Sequence, residues 1–202
     1  MFIFIYASTC SKMNTGVDLA FFVGILMAIP ICAKQTGANL NPAVSYSMVL
    51  KNDAPSTYSI MWIYFKAQVL GAIISMVLAT CLNDVYRSPL YPNDFTTGEV
   101  LRMILSEAIG VFALIFFVLY ATGPISFIEE NSAKYFYIAV FVYIGRRFAA
   151  VSGNQINFAL TISQAFVGIP QCDYQGFKYL FIWFIGDGLG VLAAAKFYSG
   201  IL

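Results

Sequence analysis

Residues 37–45 read Gly-Ala-Asn-Leu-Asn-Pro-Ala-Val-Ser, and they belong to a short apolar stretch that covers 39–50. Asn41 stands where a helix N-cap is expected and Pro42 where the first helical residue is expected, both favoured positions for these residue types. About ten helical residues rise about 15 Å, half of the roughly 30 Å of a membrane's hydrocarbon core. The stretch therefore predicts a half-helix that begins at mid-membrane, with free backbone N–H groups and a partial positive charge.

A second stretch has the same pattern with one difference. Residues 152–160 read Ser-Gly-Asn-Gln-Ile-Asn-Phe-Ala-Leu and lead into a short apolar stretch, 155–167, in which Phe158 replaces the proline. If this half-helix enters from the other side, two positive ends meet at Asn41 and Asn157. Their amides can then donate to a water or hydroxyl oxygen, while the field repels protons and cations. The alternative is that both asparagines only cap helices, and that the short stretches pack as interfacial loops.

An internal repeat decides the organisation. Three pairs of segments match in the same order and at nearly one spacing: 2–8 with 116–122, 37–43 with 153–159, and 70–72 with 189–191. Each half holds an odd number of spans plus one half-helix, so the halves enter the membrane from opposite sides, as in many transport proteins. We predict one domain over 1–202, with repeat one at about 1–83 and repeat two at about 99–202.

Composition indicates a polytopic membrane protein. Of the 202 residues, 60% are hydrophobic and 10% are charged, against roughly 45–50% and 25% in soluble domains. The opening ten residues are too short for a span and lack the charged region and cleavage site of a signal peptide. Stretches with the length of a spanning helix lie at 16–34, 57–82, 100–123, 133–150 and 176–199.

The same composition excludes several function classes. A net charge of +1 gives no reason to expect nucleic acid, and the absence of histidine removes His-based catalytic triads, HExxH metal sites and the usual haem ligands. The four cysteines are far apart, so we expect free thiols. We predict no enzyme activity, no metal and no cofactor, because no titratable cluster is available.

We call the segments 37–45 and 152–160 the first and second box. Three further blocks accompany them: Ala-Gln-Val-Leu-Gly-Ala at 67–72, Glu-Ala-Ile-Gly at 107–110 and Trp-Phe-Ile-Gly-Asp-Gly-Leu-Gly at 183–190. Over its whole length the chain resembles the aquaporin and aquaglyceroporin family (major intrinsic proteins). The resemblance implies an all-α inverted repeat of six spans, the first one partial here, with two re-entrant half-helices. It also implies a homotetramer with one pore per subunit. It assigns the pore boxes to Asn41, Pro42, Ala43, Asn157, Phe158 and Ala159.

Counting without gaps from the boxes gives the family's outer constriction as Phe21, Gly145, Asn154 and Leu160. Leu160 stands where the family usually has an arginine, and Thr161 stands where glycerol-type members usually have an aspartate. The ring therefore fits neither main subclass. Arg146 and Arg147 follow Gly145 directly. Either one swings inward and replaces the missing cation, or the pair snorkels to headgroups or anchors a partner.

Further departures concern single residues. Phe158 either packs outward against other spans or fills the pore. Glu107 corresponds to a carboxylate that braces a re-entrant loop in the family, which makes it a buttress rather than a catalytic acid. Asp187 replaces a family proline and either pairs with a partner's cation or caps nearby backbone. The repeat pairs Met1 with Ile115, so the twin of Glu107 is absent. Either the chain is a fragment of a longer product, or another polypeptide completes the wall.

Two functions follow from this sequence. The first is a passive channel in the lipid bilayer for water or small neutral solutes. The alternative is a non-conducting, family-derived subunit of a larger membrane complex, favoured by the missing arginine, by Phe158 and by the short first span. On the family's topology the outer side carries more Lys and Arg than the inner side, against the positive-inside rule. An organelle membrane, or partner subunits over the outer face, would account for that.

Overall fold

The computed structural model describes residues 17–51, 57–83, 95–168 and 175–201, and these parts of the chain are helical, without strands. A 3₁₀ turn, Ala150–Ser152, lies between the fifth and sixth α-helices. The α-helices are α1 (Val17–Thr36), α2 (Pro42–Leu50), α3 (Tyr58–Asn83), α4 (Thr97–Thr122), α5 (Asn131–Phe148), α6 (Phe158–Gly168), α7 (Gln175–Lys178) and α8 (Leu180–Ser199). The all-helical prediction is confirmed for the described ranges. The opening segment, which includes the first member of the matched pair 2–8 and 116–122, and Cys10 and Cys172 lie outside them.

Five predicted spans coincide, within a few residues, with α1, α3, α4, α5 and the pair α7–α8. Within the described ranges three helical segments are long and apolar enough to cross a membrane: Tyr58–Leu78, Thr97–Thr122 and Gly176–Ser199. A shorter apolar helix covers Phe21–Thr36. The 18 residues of α5 carry three cations, Lys134, Arg146 and Arg147, which set this helix apart from the other long ones.

The centre of the fold is α4. Its start is fixed by a capping box, in which the Thr96 hydroxyl accepts from the Glu99 amide and the Glu99 carboxylate accepts from the Thr96 amide. It packs along both α5 and α8. Contact with α5 is backbone to backbone, because a Cβ added to Gly110 would lie 2.4 Å from the Gly145 carbonyl oxygen. Such close approach suits helices in lipid, where van der Waals contact drives association.

Large apolar side chains lie on the outer surface as well as in the core. Ile63, Leu70 and Phe184 are each at least 60% exposed, whereas Leu114, Ile115 and Leu119 on α4 are almost fully buried. A surface this apolar is suited to lipid rather than to water. The two short helices α2 and α6 lie inside this shell, where they contact each other and both contact α8.

Candidate pore

The short helices α2 and α6 meet through the two asparagines that precede them. Asn41 Oδ1 accepts from the Ala43 amide at 2.9 Å, and Asn157 Oδ1 accepts from the Ala159 amide at 3.2 Å. Each side chain therefore caps its own helix. The asparagine of the second box does so even though no proline follows it.

Each asparagine also donates to the loop that precedes the opposite helix. Asn41 Nδ2 lies 2.7 Å from the Ile156 carbonyl oxygen, and Asn157 Nδ2 lies 3.2 Å from the Leu40 carbonyl oxygen. These reciprocal bonds hold the N-termini of α2 and α6 side by side. Because an amide NH₂ has two hydrogens, each asparagine keeps a second donor for another acceptor.

The loop before α6 has an unusual backbone. Ile156 has φ +43° and Asn154 has φ +60°, and a β-branched residue in the left-handed region is strained. Glu107, whose side chain is fully buried, accepts hydrogen bonds from the Ile156 amide and from the Ser152 hydroxyl. Trp183 Nε1 donates to the Ser152 carbonyl oxygen at 3.0 Å. Side chains of α4 and α8 thus hold this loop in the conformation that points the Ile156 carbonyl at Asn41.

A different residue holds the loop before α2. Gln68 of α3 donates to the Asn39 carbonyl oxygen at 2.5 Å and to the Ser45 hydroxyl at 3.0 Å. Gln68 belongs to the Ala-Gln-Val-Leu-Gly-Ala block, but the sequence alone indicates no role for it. The signal that could have identified it is an uncharged polar residue in the middle of an otherwise apolar span.

Phe158 packs outward, which is one of its two predicted alternatives. Its ring centre lies 5.4 Å from that of Phe184 and 6.5 Å from that of Phe65, on the side of α3 and α8. Its backbone amide donates to Asp187 Oδ2 at 3.0 Å. Asp187 therefore caps nearby backbone, as one of its own alternatives predicts.

A cavity of about 290 Å³ lies beside the asparagine pair. It follows α4 from Leu114 to Thr122, and α5 from Val142 back to Asn131. Eight helical residues rise about 12 Å, so the cavity is elongated along these helices. Its walls are mostly apolar, and its polar groups lie near the ends. Polar side chains that line it are Asn39, Asn41, Gln155, Asn157, Thr122, Asn131 and Lys134.

The cavity reaches Phe21 and Val142 at the end nearer to the asparagines. The Arg146 guanidinium carbon lies 3.8 Å from the centre of the Phe21 ring, and Arg146 is only 5% exposed. Arg146 follows Val142 by one helical turn, so it continues the face of α5 that lines the cavity. Of the two alternatives for the arginine pair, Arg146 takes the inward one, whereas Arg147 is exposed.

The other three residues predicted for the constriction are not among the residues that line this cavity. Gly145 faces α4, where an added Cβ would lie 2.6 Å from the Gly110 carbonyl oxygen. Asn154 is half-buried in the loop before α6, and its backbone N–H donates to the Ala149 carbonyl oxygen. Leu160 is buried in the core on α6. Of the predicted ring, only Phe21 borders the cavity that the described residues enclose.

Comparison with known proteins decides the family, because the model of the major intrinsic protein family matches residues 3–198. The chain belongs to the major intrinsic protein family. It is an integral, multi-pass membrane protein and a channel for water or small solutes. In the described ranges of this family member, no three His, Cys, Asp or Glu side chains are grouped as metal ligands would be.

Several named relatives are similar over nearly the whole chain. The glycerol uptake facilitator protein of Bacillus subtilis (strain 168) is 27% identical over 96% of this chain and 78% of its own length. Aquaglyceroporin-2 of Rhizophagus irregularis is 27% identical over 95% of this chain and 62% of its own length. The probable aquaporin PIP2-6 of Oryza sativa subsp. japonica is 25% identical over 97% of this chain and 71% of its own length. The alternative of a non-conducting subunit is not favoured by relatives with these names.

Proposed function

We propose that this chain conducts water and small uncharged solutes along a path that passes Asn41 and Asn157. The observation that carries the proposal is the reciprocal pair of hydrogen bonds between the two boxes. In the proposed topology α2 and α6 are re-entrant half-helices within a six-span inverted repeat. Relatives named as a glycerol uptake facilitator and an aquaglyceroporin support a solute range that includes small polyols.

The proposed path begins in the cavity along α4 and α5 and continues past the asparagine pair. Its apolar walls offer few groups that compete for hydrogen bonds, so a passing oxygen accepts mainly from the free amide hydrogens. The N-termini of α2 and α6 add partial positive charge at the same point. That field repels protons and cations and leaves neutral molecules able to pass.

We further propose that Phe21 and Arg146 form the selective end of this path. The guanidinium supplies a fixed cation and several donors, and the Phe21 ring supplies an apolar wall. Gly145 contributes indirectly, because its missing side chain lets α5 approach α4. Asn154 and Leu160 shape the wall behind the path. Glu107 acts as a buttress of the loop before α6, since it accepts the Ile156 amide.

The oligomeric state of the protein is a separate proposal. A homotetramer, with a separate pore in each subunit, is the arrangement that we expect from the family. Association with other membrane subunits is the alternative, and native mass measurement in mild detergent separates the two. Pore function does not depend on the outcome, because the proposed path lies within one chain.

Purified protein in lipid vesicles tests the function. We expect vesicles with the wild-type chain to shrink much faster than empty vesicles under sucrose, and to swell faster in glycerol. Asn41→Asp keeps an acceptor for the Ala43 amide, so α2 stays capped, but it replaces the amide donor with an acceptor. Flux should therefore fall while helicity is unchanged.

The control for handling and reconstitution is Glu130→Gln. It also exchanges an acid and an amide, but at an exposed residue away from the boxes. Water and glycerol permeabilities equal to those of empty vesicles, from protein that is folded and inserted, would contradict the proposed function.

A further inference from the structure

Asp187 is a buried acid that the proposed path does not use. It lies in α8, is 6% exposed, and is not among the described residues that line the cavity. One carboxylate oxygen accepts from the Phe158 amide at 3.0 Å, and the carboxyl group also lies close to that of Glu107. An acid inside a membrane span is costly, so its position needs a physical reason.

The reason lies in the residue that begins α6. In the first box Pro42 occupies this position, and proline has no backbone N–H. Phe158 brings an N–H at the start of a helix, where no carbonyl of the same helix can accept it. The Asn157 side-chain oxygen is already used by the Ala159 amide. Asp187 is the acceptor that satisfies the extra donor.

Two carboxyl groups therefore hold the backbone on both sides of Asn157. Glu107 of α4 accepts from the amide before it, that of Ile156. Asp187 of α8 accepts from the amide after it, that of Phe158. With both neighbouring amides fixed, the Cα–Cβ direction of Asn157 is fixed, and the bond from the Ala159 amide to its Oδ1 orients the rest of the side chain. Its Nδ2 is the group that reaches the Leu40 carbonyl oxygen.

The internal repeat places a corresponding residue at the first box. The alignment that pairs Leu70 with Leu189 also pairs Gln68 with Asp187. Gln68 braces its loop through the Asn39 carbonyl and the Ser45 hydroxyl, which are acceptors for its amide. At the second box the group to be satisfied is a donor instead, and an acid stands at the matching position.

We propose that Asp187 is a positioning residue that takes over the role of the missing proline in the second box. By accepting the Phe158 amide it fixes the start of α6 and keeps Asn157 aimed at the path. The need for Asp187 exists only because residue 158 carries a backbone N–H. The effect on flux rests on the proposed function, whereas the coupling between positions 158 and 187 does not.

A set of variants tests this coupling in reconstituted full-length protein. Asp187→Leu leaves a buried N–H without an acceptor, so we expect Tm to fall by roughly 5 °C and flux per folded protein to fall several-fold. Adding Phe158→Pro removes that N–H and should restore both quantities. Adding Phe158→Ala removes the ring but keeps the N–H, and should restore neither. Asp187→Asn keeps an acceptor oxygen and should retain most of the flux.

Each outcome bears on the proposal. Equal responses to Asp187→Leu in the Phe158→Pro and Phe158→Ala backgrounds would overturn it, as would a wild-type Tm for Asp187→Leu alone. If Asp187→Leu does not fold, recovery of folded protein with Phe158→Pro, but not with Phe158→Ala, supports the coupling. If neither double variant yields folded protein, the proposed coupling is overturned. A wild-type chain without flux sinks the proposed function, while the Tm comparison still decides the role of Asp187.

Discussion

At the scale of the residue, Arg146 is the side chain to which we assign selectivity in the proposed path. Its guanidinium stacks on Phe21 at 3.8 Å and is largely removed from solvent. A desolvated cation–π contact of this kind is worth about 2 kcal/mol or more. The contact holds the guanidinium next to Phe21, which lines the cavity, and this position is the basis for the selective role proposed above.

We expect Arg146→Leu to raise glycerol permeability relative to water several-fold, because it removes both the fixed cation and the bulk of the guanidinium. Paired measurements of glycerol swelling and osmotic shrinking on the same vesicles give this ratio. Arg147→Leu is the matched control, since Arg147 is the next residue on α5 but is exposed. The same change in ratio from both variants would contradict a selective role for Arg146.

The sequence located both asparagines and predicted Asn41 as an N-cap. It assigned Gly145 to the outer constriction and left open whether Arg146 or Arg147 turns inward. Neighbouring residues on a helix differ by about 100° in direction, so a count without gaps places a residue without fixing the face that it occupies. The face of α5 became clear only when Gly145 was found against Gly110.

At the scale of elements, the crossing of α4 and α8 depends on small residues. A Cβ added to Gly190 would lie 2.7 Å from both the Ala108 carbonyl oxygen and the Val111 Cβ. Two residues earlier on the same helix, a Cβ on Gly188 would meet nothing within 4 Å. Alanine at Gly190 therefore tests the packing between α4 and α8, whereas alanine at Gly188 tests helix propensity alone.

We expect Gly190→Ala to destabilise the protein by about 1–3 kcal/mol, the usual cost of overpacking a tight contact. Gly188→Ala should be neutral or stabilise by about 0.5–1 kcal/mol, because alanine loses less backbone entropy in a helix. Thermal unfolding in detergent, followed by circular dichroism, measures both. Equal shifts for the two variants would show that α4 and α8 do not meet as described.

Element bounds were predictable from length and apolarity for the long helices and from the Asn and Pro pattern for the short ones. Within the apolar stretches 39–50 and 155–167, α2 begins at Pro42, and α6 begins at Phe158, which replaces the corresponding proline. The residues before each start include Gly and Asn, which favour turns. The sequence did not show the full set of long-range partners that hold these turns, Gln68 for the first loop and Glu107 for the second. Such contacts leave no local signal.

At the scale of the whole molecule, the described helices form an apolar outer surface around a cavity whose lining includes polar groups. Composition predicted the membrane environment, and the internal repeat predicted that the two boxes belong together. Neither could show which side chains face the cavity, because apolar residues face both the lipid and the path. Helix α5 contains both kinds side by side: Ile138 lines the cavity, and Tyr137 is 42% exposed.

This contrast gives a test of the path through the whole molecule. A small, uncharged methanethiosulfonate reacts with the thiolate form of cysteine, and a thiol ionises readily only where water reaches it. In Ile138→Cys the adduct fills part of a cavity of about 290 Å³, so we expect flux to fall to near the level of empty vesicles. In Tyr137→Cys the thiol lies on the outer surface, where it does not border the cavity whether or not it reacts, so flux should stay near that of the untreated variant. Treated wild-type protein controls for the native cysteines. If the reagent leaves the Ile138→Cys flux unchanged although mass measurement shows the adduct, solutes do not pass through this cavity.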